Sequence, residues 1–257
     1  MTTTATYPLR DSAAMVRRQF RHTWRNPETL FGALVVPIIL LLLFNYFFGG
    51  AMNVGTRYLD YMVPGIIMLA AGYGVGVTAV GMATDVSEGV INRFRTMAIS
   101  RASVPTGHVV ASVVTTLAGI VIALGVTVVM GFRPNATPVE WLAAIGMIVL
   151  LVVAITWLAV ALALAAPTPE AANFYAFPLV FLPFLSTAFA PADTMSGGVR
   201  WFVENQPFSR VIETLRGLLT GTAIGDDSWW GIGWCVGIAL IGYLWARALF
   251  NREPRTR

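Results

Sequence analysis

Side chains able to hold a metal or run acid–base chemistry are scarce in this sequence. Its 257 residues include two histidines, His22 and His108, and one cysteine, Cys235. A metal centre needs several converging His, Cys or carboxylate ligands, and a hydrolytic site needs a nucleophile beside a base at one depth. Neither set can be assembled, so no catalytic, cofactor-binding or metal-ligating residue is expected. All 17 basic residues are arginine. Without lysine the phosphate-cradling loop G-x-x-x-x-G-K-[ST] cannot form, so any ATP must be bound by another chain. Polar chemistry is concentrated instead in DVSEGVINRFRTMAISR, residues 85–101, which carries five formal charges. Asp85, Glu88, Asn92, Arg93 and Arg95 offer charged hydrogen bonds of both signs, the kind that give a protein contact register and discrimination. Val86, Val90, Ile91 and Phe94 supply an apolar side, and Gly89 either ends a turn or lets a partner's backbone come close.

The elements around this stretch are apolar. The chain is 56% hydrophobic and 12% charged, with a mean hydropathy of +0.70. A water-soluble domain carries about a quarter charged residues, so lipid is the solvent here. Six stretches, 30–50, 59–83, 106–131, 141–166, 171–190 and 229–250, are long and apolar enough to cross a bilayer core of about 30 Å. The expected fold class is all-α integral membrane with six transmembrane helices, in one transmembrane domain over residues 1–257. Residues 85–95 are excluded from any span, because each Asp or Arg at a helix centre costs about 2.5–3.5 kcal/mol. Residues 1–29 lack the apolar core of a signal peptide, so the first hydrophobic stretch is expected to remain as an anchor. Cys235 reads as a plain lipid- or helix-facing side chain.

Arginine placement sets the orientation. With the N-terminus inside, twelve arginines are cytoplasmic and five, Arg57, Arg133, Arg200, Arg210 and Arg216, are outside. This is the positive-inside bias, and it puts both termini in the cytoplasm. Trp141, Trp229, Trp230 and Trp234 at outer ends, with Trp24 and Trp245 at inner ends, mark the two interfaces.

Two flanking segments are amphipathic. In 8–25, Leu9, Ala13, Val16, Phe20 and Trp24 recur at helical spacing beside Arg17, Arg18, Arg21 and Arg25. Such a helix lies in the membrane surface, gripping anionic lipid and offering a lateral contact to a cytoplasmic partner. In the outer segment 191–228, Pro207 precedes Phe208, Val211, Ile212, Leu215, Leu218 and Leu219 at helical offsets, and Gly221 supplies a stop. Arg210–Glu213 and Glu213–Arg216 are spaced to pair on its polar side. At about 13 residues this helix is too short to span. With Val199–Asn205 upstream it forms a re-entrant helical pair, serving either as packing or as a lid over an outer exit.

Within the spans, Asn45, Tyr46, Asn173 and Tyr175 are the candidates to line a path, and an uncharged aromatic lining suits an amphiphilic cargo. Gly72–Gly76 and Gly233–Gly237 read as close helix contacts, and Pro178 and Pro183 as kinks in the fifth span. No span holds an acid–base pair, with His108 taken as an interface residue, which argues against a proton relay.

The arrangement resembles the ABC-2 family of exporter membrane subunits, in particular bacterial drug-resistance permeases of the daunorubicin type. Leu179, Leu182, Leu185-Ser186, Ala188, Met195-Ser196, Pro207-Phe208-Ser209-Arg210 and Arg216 stand at the family spacing, and Glu88-Gly89 with Arg93 and Arg95 stand in the loop after the second span. Many members carry a proline near the position of Met97, and this chain does not. The resemblance implies a half-size permease that pairs with a second permease chain, identical or related, and docks two ABC ATPase subunits carrying ATP-Mg. It makes 84–101 the coupling helix, through Asp85, Glu88, Gly89, Asn92, Arg93 and Arg95. The cargo would be a drug, lipid or lipid-linked glycan leaving across a bacterial plasma membrane, with no nucleic-acid partner. A pore or assembly scaffold without energy coupling is the alternative.

Overall fold

A computed structural model describes residues 27–52, 54–90 and 103–250; of residues 27–33 and 103–105 only the backbone is described. The surface helix expected at 8–25, with Arg17, Arg18, Arg21 and Arg25, lies outside the described residues, as do Asn92, Arg93 and Arg95. Among the described residues every regular element is helical and no strand occurs. In chain order these are α1 (Pro27–Leu43), α2 (Tyr58–Ser87), α3 (Ser103–Val129), α4 (Pro138–Ala165), α5 (Pro169–Phe181), α6 (Gly197–Asn205), α7 (Pro207–Thr220) and α8 (Asp227–Phe250).

Four helices are long and apolar enough to cross a membrane: Tyr58–Ser87, Thr106–Val129, Pro138–Ala165 and Asp227–Phe250. They coincide with the second, third, fourth and sixth expected spans. The other two are irregular. The first is α1, which loosens into a π-helical stretch at Phe44–Phe48. The fifth is α5, only 13 residues long, which tightens into a 3-10 turn at Leu182–Leu185. Pro178 is carried inside α5, whereas the α-helix gives way around Pro183, whose missing N–H cannot continue the ladder.

Local chemistry sets the ends. Pro27, Pro138, Pro169 and Pro207 each open a helix, where a missing N–H costs nothing. At α4 the Thr137 hydroxyl accepts from the Glu140 backbone N–H at 3.3 Å, and the Glu140 carboxylate accepts from the Thr137 N–H at 2.7 Å, a closed capping box. Thr137→Ala is expected to cost about 1 kcal/mol, read as a lower thermal midpoint of the purified protein. At the other end of α2, Gly89 takes φ +68°. It ends the helix, one of the two roles left open by the sequence.

The core centres on α2, which packs against α1, α3, α4, α5 and α7. Close approach is set by glycines: a side chain on Gly65 would strike Ala188, and one on Gly72 would meet the backbone of Leu179 and Val180. Gly231 and Gly242, and not the expected Gly233 and Gly237, bring α8 against its neighbours; the latter two face open space. Their spacing matched the small-residue pattern, but the helix turns that stripe outward. Cys235 is buried between helices.

Candidate functional site

The site between α2, α5 and α7 is built around an irregular stretch of backbone. Beyond the 3-10 turn, Ser186–Phe189 runs as turns and bends and is buried. Non-helical backbone at membrane depth survives only where protein groups satisfy its polar atoms. Here α2 and α7 do so. The Tyr58 hydroxyl donates to the Phe189 carbonyl at 3.0 Å, and the Tyr61 hydroxyl to the Thr187 carbonyl at 3.0 Å. The same Thr187 carbonyl accepts from Arg216 Nη2 at 2.7 Å. Ser209 accepts from the Thr187 N–H at 3.4 Å, and the Gln206 amide donates to the Leu185 carbonyl.

Arg216 joins the elements. Its Nε donates to the Tyr61 carbonyl at 3.2 Å, its Nη1 to the Glu213 carboxylate, and its guanidinium lies 3.8 Å from the Tyr61 ring centre, a cation–π distance. Of the two ion pairs expected along α7, Glu213–Arg216 forms, but Arg210 turns instead to Asp227 at the start of α8. A carboxylate one helix away outbids the local one because Arg210 sits on the side of α7 that packs against α8. Pro207 opens α7, and Phe208, Val211, Ile212, Leu215, Leu218 and Leu219 are all buried as their spacing predicts. Asp60, Tyr61, Arg133, Arg210, Glu213 and Arg216 line a cleft of about 740 Å³ above this layer. At its rim the Glu204 carboxylate hydrogen-bonds Arg200 and holds that guanidinium above its ordinary pKa.

The path candidates are elsewhere. Asn45 is half-buried and Tyr46 exposed on the π-helical stretch of α1, while Asn173 and Tyr175 are exposed on α5. None of the four lines the outer cleft. Near them runs a ladder of phenylalanines that joins α1 to the end of α5. Phe44 stacks on Phe189 at 4.3 Å between ring centres, Phe184 on Phe189 at 5.5 Å, and Phe177 on Phe181 at 4.6 Å.

Where α2 meets the start of α3 the structure corrects three expectations. The helix boundary expected at residue 84 is absent, since α2 continues to Ser87. Asp85 is therefore the last turn of a spanning helix and is buried, not part of a separate exposed helix. His108 is buried too, and its Nε2 lies 2.8 Å from Asp85 Oδ2. The spans thus do hold an acid–base pair. The insertion cost that excluded Asp85 applies to a lone charge and lapses for one that a neighbouring helix pairs. Glu88 remains exposed at the turn.

Among the described residues no group of three or more His, Cys, Asp or Glu is placed to hold a metal ion. Against known families, residues 11–220 match the ABC-2 type transporter. The chain belongs to that family. This ABC-2 permease is 28% identical over 243 residues, 89% of its length and 83% of the relative's, to "Daunorubicin resistance ABC transporter permease protein DrrB1" of Streptomyces coeruleorubidus. It is 27% identical over 219 residues, 84% of its length and 79% of the relative's, to "Probable doxorubicin resistance ABC transporter permease protein DrrC" of Mycobacterium tuberculosis. The permease is a multi-pass membrane protein, as its apolar helices and its relatives agree.

The groups that sequence reasoning missed in the permease are Tyr58, Tyr61, Thr187, Gln206 and Asp227 around the outer layer, and the Asp85–His108 contact. Tyr58 and Tyr61 gave the one readable signal, two phenols three apart at the mouth of an otherwise aliphatic span.

Proposed function

We propose that this chain is the permease subunit of an ATP-driven exporter, energised by two separate ABC ATPase subunits that bind ATP-Mg and dock on its cytoplasmic loop after α2. The observation that carries this is the placement of that loop within a chain of the ABC-2 family. α2 and α3 end side by side, in contact through Asp85 and His108, and the charge-rich loop with Glu88, Arg93 and Arg95 joins just those ends. A force applied to such a loop acts on two membrane-crossing helices at once.

In this reading the domain spans 1–257 and crosses the membrane six times, counting α1 with its π-helical continuation and α5 with its 3-10 end. Both termini are cytoplasmic in a bacterial plasma membrane, the helix at 8–25 rides the inner surface, and 191–228 is a re-entrant lid at the outer leaflet. A second permease chain completes the path. Asn45, Tyr46, Asn173 and Tyr175 face the cargo beside the phenylalanine ladder, a lining suited to an amphiphilic drug, lipid or lipid-linked glycan. The relatives' printed names, which speak of daunorubicin and doxorubicin resistance, support the drug class.

The test reverses two charges. Arg93→Glu with Arg95→Glu, coexpressed with the ATPase subunit, should cut its copurification by about tenfold or more, since like charges brought together at an interface cost several kcal/mol. Transport should fall in step. Unchanged copurification and transport would remove the docking role.

A further inference from the structure

The contact between α2 and α3, two helices of apolar composition, carries polar contacts at two places. Gly74 faces Thr116 so closely that any side chain on the glycine would strike the threonine hydroxyl. Thr78 Oγ1 meets Ser112 Oγ, and Asp85 meets His108. Positions climb α2 as they descend α3, so one antiparallel register makes both polar contacts and seats Gly74 against Thr116. The seam ends in its strongest member, where the side chains of His108 and Asp85 are 5% and 12% exposed and the contact is 2.8 Å.

Stability does not explain that last pair. Removing one partner of a buried ion pair is costly, but replacing both by well-packed apolar side chains is often neutral or better. Leucine or valine at both positions would match the apolar side chains of the rest of the hairpin and would leave neither His108 nor Asp85 as a lone buried polar group. What an apolar contact cannot supply is direction. A charge-assisted hydrogen bond fixes the axial register of the two helix ends, while aliphatic side chains slide past one another at little cost. The pair stands one turn inside Glu88-Gly89, where the αL glycine releases the chain from α2 into the charged loop.

We propose that Asp85 and His108 are positioning residues that lock α2 and α3 into a single lever, so that displacement of the cytoplasmic loop tilts both helices together and is not absorbed by slippage between them. This rests on the loop being the ATPase-docking segment. Asp85 acts through His108 and makes no docking contact itself.

The experiment uses the assembled permease–ATPase complex in liposomes and reads cargo moved per ATP hydrolysed. Asp85→Leu with His108→Leu keeps the packing and removes the directional bond. That complex should assemble and hydrolyse ATP normally while cargo per ATP falls about fivefold, within the range that coupling-path mutations produce. The exchanged pair, Asp85→His with His108→Asp, should restore the ratio to within about twofold. Asp85→Asn, nearly the same shape, should lower it by about twofold even if the double leucine fails to fold. A double-leucine or Asp85→Asn complex with the wild-type ratio overturns the lever, as does a folded exchange pair that restores nothing. Failure of the docking reading looks different: there the Arg93→Glu, Arg95→Glu complex keeps its ATPase and its transport.

Discussion

Arg216→Ala should lower the stability of the detergent-purified permease by about 1–3 kcal/mol, the loss typical when buried acceptors lose their donor. The guanidinium ties α7 to both α2 and the irregular backbone. It donates to Tyr61 O at 3.2 Å, to Thr187 O at 2.7 Å and to the Glu213 carboxylate, with a side chain only 12% exposed. Alanine takes from Glu213 its paired guanidinium and strips one of two donors from the buried Thr187 carbonyl. Lysine keeps the charge but has no planar fork, so it can hold one of these acceptors and must abandon the others. Arg216→Lys should therefore fall between alanine and the parent protein. Glu213→Gln should be milder than either, because that carboxylate is already about a third open to solvent and water can take over part of its pairing. Chemical unfolding followed by tryptophan fluorescence orders the three. An Arg216→Ala protein within about 0.5 kcal/mol of the parent, the margin for a surface change, would mean that the guanidinium is only a rim charge.

What could be read in advance follows from the range of each interaction. Helix α7 was legible because its signals are local. Pro207 and Gly221 punctuate it, and Phe208, Val211, Ile212, Leu215, Leu218 and Leu219 keep helical spacing, so start, stop and buried face came out together. The Glu213–Arg216 pair was legible for the same reason. Arg210 was misassigned because its partner, Asp227, arrives from the next helix. Asp85 was misplaced by a window rule that treats every charge as unpaired, and pairing with His108 is a tertiary fact. The fifth span shows the reverse fault. Its composition reads as about 20 apolar residues, yet Pro183 and Ser186 turn the second half into an irregular strand of backbone held by α2 and α7. Three residues of the pattern that carried the resemblance, Ser186, Ser209 and Arg216, satisfy part of this backbone beside Tyr58, Tyr61 and Gln206. Their spacing was visible in the sequence, but their common purpose was not.

Glycines along α8 give the sharpest contrast between pattern and packing. Gly242→Ala should destabilise the protein by about 1–3 kcal/mol or more, the usual cost of overfilling a packed contact. A methyl group there would lie 2.6 Å from Leu158 N and 2.8 Å from Trp157 C, both backbone atoms of α4. Backbone cannot rotate away, so α8 itself must move and carry with it the edge-to-face contact of Tyr243 on Trp157 at 5.0 Å. At Gly231 the obstacle is Met147 Cε at 2.6 Å, the far end of a flexible side chain, and Gly231→Ala should be tolerated more readily. Gly233→Ala and Gly237→Ala meet open space and should gain up to about 1 kcal/mol, because alanine removes the helix penalty of glycine. Thermal unfolding of the four variants in one detergent decides the matter. The order of loss should be Gly242, then Gly231, with Gly233 and Gly237 at or above the parent. A loss at Gly237 as large as at Gly242 would place a further element against that open face, and the contact would have to come from outside the described residues.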